Sequence, residues 1–213
     1  MTSATHRNFL WVLVLILLSR LPFVNAGYGA EEDAWGMRLV TERIATTGNY
    51  EVSRLPGHPL QELTYALIWN RGPVAFNFLT VLLSTAGIFF FMLSLRKLQI
   101  KNYLLAGIAL AFVPVFFINS TNALDYTWAF AFLMMSLYFI ICDNIWIAGI
   151  FIGLAVGCRI TSGAMLIPYA YLMWYRTHSL KNIFKLAASA LLIAVFLFIP
   201  VLNVYGISFF QYR

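Results

Sequence analysis

The chain has 213 residues, 62% of them hydrophobic and 10% charged, including 19 Phe, 11 Tyr and 6 Trp, and its mean hydropathy is +0.81. A soluble domain is about 45–50% apolar and about 25% charged, so the composition excludes a water-soluble fold as well as disordered, collagen-like and disulfide-scaffold classes. The net charge of +6 does not indicate nucleic acid, because the cations sit in short loops between apolar runs and no Lys/Arg block is long enough to follow a phosphate backbone.

The first apolar run, 9–18 continuing through Arg20 to about 24, follows His6 and Arg7, but no small-x-small cleavage site follows closely and Arg20 interrupts before one could. It reads as a retained helix rather than a signal peptide, with Arg20 as an interfacial anchor that snorkels to the headgroups. Further runs at 74–95, 103–118, 123–142, 146–175 and 186–204 are mostly close to the roughly 20 residues that cross a bilayer. As one straight helix, 146–175 would be about 45 Å long. Gly157, Arg159, Thr161, Ser162 and Gly163 interrupt it, which predicts two short helices in a hairpin or a re-entrant pair.

That hairpin also satisfies the positive-inside rule. With the N-terminus cytoplasmic, the loops carrying Arg96, Lys97 and Lys101 and carrying Arg176, Lys181 and Lys185 both fall inside. Segments 25–72, 119–122 and 205–213 then face outward. The expected fold is all-α: a polytopic transmembrane bundle of about six or seven membrane segments, forming one domain over 1–213 in a bacterial inner membrane. Cys142 and Cys158 lie in apolar surroundings and read as small hydrophobes. The aromatic end at 207–213 reads as though more protein should follow.

Segment 25–72 holds six of the eight acidic residues (Glu31, Glu32, Asp33, Glu42, Glu51 and Glu62) together with Arg38, Arg43, Arg54 and Arg71. Two amphipathic interfacial helices are predicted in it. One runs from about 31 to 47, with Trp35, Leu39, Val40 and Ile44 as its stripe and Gly48 as its stop. The other starts at Pro59 and runs through Leu60, Leu63, Leu67 and Ile68. Carboxylates at the end of the first span, with Arg54 and His58 returning to the same level, suit a phosphate-bearing lipid and an acceptor hydroxyl that needs a base. A solvated charged loop would show the same residues. Asp125, at the outer start of the fourth span, is either a functional ionisable group or a helix-start acid favoured by the dipole. Arg159 either binds a lipid phosphate or pairs with an acid.

Several of these segments are similar to the GT-C glycosyltransferases, in particular the protein O-mannosyltransferase and aminoarabinose-transferase group. The run Glu-Glu-Asp-Ala-Trp at 31–35 with Gly-Asn-Tyr at 48–50 resembles that group's first outer loop. Arg-Leu-Pro-Gly-His-Pro-Leu at 54–60 looks like its entry to the second interfacial helix. The segments 119–128 and 153–159, with Pro168, resemble those that follow, so the likeness runs in order over roughly 9–204. The resemblance implies an inverting transferase that uses a polyprenyl-phosphate sugar and a glycan, lipid or protein acceptor. Asp33 would be the general base, with Glu32 beside it. Asp125 would be the second acidic position, and Arg54, His58 and Arg159 would meet the donor phosphate. Some members use a divalent metal and others do not. Members are generally about twice this length, so the resemblance also implies a partner subunit or further chain completing the lipid groove. The rival expectations are a non-catalytic binder or flippase of the lipid carrier, with Asp125 gating, and a structural membrane subunit.

Overall fold

The computed structural model describes residues 3–29 and 31–206, and the aromatic 207–213 stretch lies outside them. Ten α-helices and no strand lie among the described residues: α1 (Ser3–Arg20), α2 (Glu32–Thr47), α3 (Pro59–Ala66), α4 (Gly72–Lys97), α5 (Tyr103–Ala111), α6 (Pro114–Asn119), α7 (Asp125–Ile141), α8 (Ile145–Cys158), α9 (Leu166–Thr177) and α10 (Leu180–Tyr205). Two of them are long and apolar enough to cross a membrane. These are α4 with its preceding turn (Trp69–Lys97, mean hydropathy 2.2) and α10 (mean hydropathy 2.4).

The core is a row of helices in which α4 packs on α7, α7 on α8 and α8 on α10. The α8–α10 contact depends on small residues. Gly149, Gly153 and Gly157 recur every fourth residue and so share one face of α8. A Cβ at Gly149 would lie 1.8 Å from Ser189 Oγ, and one at Gly153 would lie 2.8 Å from the Ala190 carbonyl oxygen. Only bare backbone lets these helices come so close, which is the small-xxx-small packing mode.

Two apolar runs are divided. Pro114 cannot continue the helix of the 103–118 run, and it pushes Val113 into an extended conformation (ψ 123°). The single span expected there is therefore two short helices, α5 and α6. The 146–175 run breaks at Arg159 (φ −155°, ψ 110°), passes through a 3-10 turn (Ile160–Met165) and resumes as α9. At 14 and 12 residues, α8 and α9 are each about 20 Å long. The end of α9 returns to the start of α8, where Arg176 Nη2 donates to the Ile141 carbonyl at 3.1 Å and meets Asp143 at 3.3 Å. The expected division into two short helices is present.

Both cationic loops lie at that end, since Arg96 and Lys97 share a cleft with Tyr138 of α7. Segment 25–72 caps the other end. Asn77, near the start of α4, donates to the carbonyls of Val24 (3.1 Å) and Gly27 (2.7 Å).

Three expectations are corrected. Arg20 is fully buried and does not snorkel. Its Nε donates to Ser120 Oγ (3.1 Å), Nη1 to the Ile16 carbonyl (2.9 Å) and Nη2 to the Ala111 carbonyl (2.5 Å). The guanidinium also lies over the rings of Phe112 and Phe117. The end of α1 is thus clasped to α5 and α6, because the Pro114 break leaves a carbonyl at the end of α5 free to accept. In α2 the stripe is rotated: Ala34, Met37, Val40, Thr41 and Ile44 are buried, whereas Trp35 and Leu39 face outward. Helix α3 is shorter than expected, ending at Ala66 before Leu67 (84% exposed) and Ile68, and it buries the polar Gln61 and Glu62 beside Pro59, Tyr65 and Ala66.

Candidate functional site

The site forms where α2, the loop after it, α3 and the start of α7 converge. Helix α2 ends cleanly because Gly48 takes the left-handed conformation (φ 73°) and its N–H caps the Ile44 carbonyl. At the other end Asp33 occupies the first turn, where a carboxylate is favoured by the helix dipole. Ala34 and Met37 anchor this turn in a cluster with Tyr28, Tyr65, Phe76 and Trp128. Tyr65 stacks on Phe76 with ring centroids 4.2 Å apart, and its hydroxyl meets Thr80 Oγ1 at 2.7 Å. These contacts hold α3 against α4 and α7, and so set the height at which the 50–59 loop enters.

Glu62 organises that loop. It is fully buried and accepts hydrogen bonds from Ser53 N–H and Ser53 Oγ, both at 2.7 Å, and from the Tyr50 hydroxyl. A buried carboxylate needs such donors to replace the water it has lost. Burial, reinforced by the neighbouring Glu62 carboxylate, pushes the Tyr50 phenol well above its ordinary pKa of 10.0. Val52 and Tyr50 also pack on Phe198 and Val201 of α10. The sequence places Glu62 in an acidic cluster without a role of its own; its spacing from Tyr50 and Ser53 is meaningful only once the loop has folded back.

With the loop fixed, Arg54 reaches Asp33 and forms an ion pair with its Oδ2. His58, at the N-cap of α3, is buried. Its Nδ1 lies 2.6 Å from the Cys158 carbonyl oxygen, which accepts only, so Nδ1 carries the proton. The same nitrogen is 3.7 Å from Asp125 Oδ2. Asp125 begins α7 and is 4% exposed, and its Oδ2 accepts from Arg159 Nη1 at 2.7 Å. Arg159 in turn lies 4.3 Å over the Tyr126 ring and donates to Thr161 Oγ1.

Asp33, Arg54, His58 and Asp125 therefore line one cleft, together with Met37, Ser53, Ala123 and Leu124. Its free volume is about 10 Å³, room for about one water molecule. Arg159 reaches the cleft through Asp125. Glu32 is exposed and is not among the lining residues, so the structure does not bring it to the other five.

The two arginine pairs differ in kind. Asp33 and Arg54 are 34% and 45% exposed in their side chains, and such surface pairs are worth about 0–1 kcal/mol. Asp125 is enclosed, and removing the partner of an enclosed charge costs about 3–5 kcal/mol. The first pair is exchangeable and the second is structural. Among the described residues no three His, Cys, Asp or Glu side chains are arranged so that they could hold a metal ion together. Each cleft carboxylate is already held by an arginine, a donor set that does not fit a divalent cation. Comparisons with protein-family models, with curated proteins and with solved structures return no match.

Proposed function

We propose that this chain is a membrane glycosyltransferase of the GT-C type, moving a sugar from a polyprenyl phosphate to an acceptor hydroxyl on the outer face. The observation that carries the reading is the meeting of two carboxylates, a histidine and two arginines at one end of an apolar helical bundle. Ionisable groups in that setting are costly and mark function.

In this reading α1, α4, α5 with α6, α7, α8, α9 and α10 supply seven membrane segments. The N-terminus and both cationic loops are inside, in a bacterial inner membrane, and α2 and α3 lie in the outer interface. The donor phosphate meets Arg54 and His58, drawing Arg54 away from Asp33. The freed Asp33 carboxylate accepts the proton of the acceptor hydroxyl as its oxygen attacks the anomeric carbon. The bond from that carbon to the phosphate oxygen breaks, and its electron pair leaves on the phosphate, where the Arg54 guanidinium stabilises it. One displacement inverts the anomeric centre, whereas a covalent carboxylate intermediate would retain it. Asp125 holds Arg159 and faces His58, keeping the phosphate side of the cleft in register. An apolar groove of about 250 Å³ between α8 and α10, lined by residues such as Val156, Ile160, Leu191 and Phe198, suits the prenyl tail.

A second reading is a non-catalytic lipid-carrier binder, and one observation favours it: both cleft carboxylates are arginine-held, as in a structural charge network. The test is sugar release from polyprenyl-phosphate sugars by membranes carrying the wild-type chain or Asp33→Asn at equal expression. Release by wild type alone supports the transferase. Equal release by both overturns Asp33 as base. Retention of the lipid without release by either supports the binder.

A further inference from the structure

The two cationic loops differ in what meets their charge. Of the eight acidic residues, six lie in segment 25–72 and Asp125 lies in the cleft beneath it, which leaves Asp143 at the cationic end. Asp143 is engaged by Arg176 at 3.3 Å, and the same Nη2 donates to the Ile141 carbonyl at 3.1 Å. The other loop is built differently. Arg96 and Lys97, in the last turn of α4, line a cleft of about 490 Å³ with Leu93, Gln99 and Tyr138. Among the described residues no Asp or Glu lines it.

Two features give this cleft fixed walls. The Tyr138 ring is held by Phe90 and Phe139, with centroids 5.4 Å and 5.5 Å away. Gln99 takes the left-handed conformation (φ 62°) and the following N–H, of Ile100, closes on the Leu95 carbonyl at 3.0 Å. Glycine is the usual residue at such a helix end, and a side chain there strains the backbone. Here the strained position contributes an amide to the cleft. Helix α4 has 26 residues and is about 39 Å long, against a hydrocarbon core of about 30 Å. With α4 crossing a bilayer, its last turn lies among the headgroups.

We propose that this cleft binds the phosphate of an anionic phospholipid. Arg96 and Lys97 offset the charge of the phosphodiester, while the Gln99 amide and the Tyr138 hydroxyl supply neutral donors. The acyl chains run back along α4 from Leu93. A basic pocket between two helices at headgroup depth suits such a lipid. A zwitterionic headgroup is disfavoured, because no carboxylate lines the cleft to receive its ammonium. The assignment rests on the membrane placement of α4 within the proposed function, and not on the transferase chemistry.

The test uses the purified full chain, stripped of lipid in detergent and offered phosphatidylglycerol, phosphatidylcholine with the same acyl chains, or glycerol 3-phosphate as a soluble phosphate. Retention is read by native mass spectrometry. Wild type is expected to retain phosphatidylglycerol at least tenfold better than phosphatidylcholine, with no displacement by glycerol 3-phosphate at equal concentration. Arg96→Gln and Lys97→Gln should each lower phosphatidylglycerol retention about fivefold, the scale of one cation at a membrane surface. Lys181→Gln and Lys185→Gln remove the same charge from the other loop and should leave it unchanged. Gln99→Gly should lower retention while raising the unfolding temperature, a split that a merely structural residue would not give. Equal retention of the two lipids, or equal losses from both loops, overturns the proposal. Displacement by glycerol 3-phosphate overturns the lipid assignment in favour of a soluble phosphate. Release of the chain from membranes by alkaline carbonate, read separately from retention, overturns the membrane placement on which the assignment rests.

Discussion

The two arginines at the cleft separate binding from stability. Arg54→Ala is expected to lower polyprenyl phosphate retention about tenfold or more while changing unfolding stability by less than about 1 kcal/mol, because its Asp33 pair is exposed. Arg159→Ala leaves Asp125 enclosed without its guanidinium and is expected to destabilise by about 3–5 kcal/mol. Thermal unfolding in detergent, run beside the retention assay, separates the two outcomes; equal destabilisation by both would overturn the distinction. Tyr50 gives a pH signature. Its phenol is held protonated in the fold by burial and by Glu62, so its folded-state pKa exceeds the unfolded one. Its contribution is complete below the ordinary value of 10.0 and is lost as pH rises past it. Proteolysis of the 50–59 loop should accelerate above about pH 10, with a shallower rise in Tyr50→Phe.

Helix boundaries follow the sequence where a local signal is decisive. The stop at Gly48, the start at Pro59 and the break at Arg159 are all chain-local features, and all are present. Pro114 is an equally local signal, and the expected single span over 103–118 took no account of it. The face that α2 buries was misjudged by one position because Trp35 and Leu39 look like core residues. The structure turns them outward and buries the smaller Ala34 and Met37 against the Tyr65 cluster. The glycine ladder of α8 was visible as composition, but its partner on α10 was not, since Ser189 and Ala190 are unremarkable in sequence. Gly153→Val is expected to push α8 off α10 at a cost of about 1–3 kcal/mol, read as a lowered unfolding temperature. Gly163→Ala is the control, because a Cβ there meets nothing closer than 3.6 Å.

For the molecule as a whole, composition was enough to predict an all-helical bundle, and charge distribution was enough to put the two cationic loops at one end. Which side chains meet at the other end was not legible, because the cleft joins residues from positions 33, 54, 58 and 125 through packing that no local pattern encodes. The proposed orientation has a direct check. With Cys142 and Cys158 replaced by alanine, a cysteine at Glu31 should react with a membrane-impermeant thiol reagent in intact cells. One at Lys97 should react only after permeabilisation. The reverse pattern would place the cleft inside and remove the outer-face reading.

The clasp around Arg20 bears on how the chain is made. In the proposed membrane reading an arginine in an apolar segment is costly unless partnered, and here part of the relief comes from Ala111 and Ser120, 91 and 100 positions further on. During synthesis α1 therefore emerges before two of the groups that accept its guanidinium protons, the Ala111 carbonyl and the Ser120 hydroxyl, exist. A nascent chain stopped near residue 100 should leave α1 loosely held and extractable, and one extended past 120 should lock it in place. The first helix to be made is among the last to be secured.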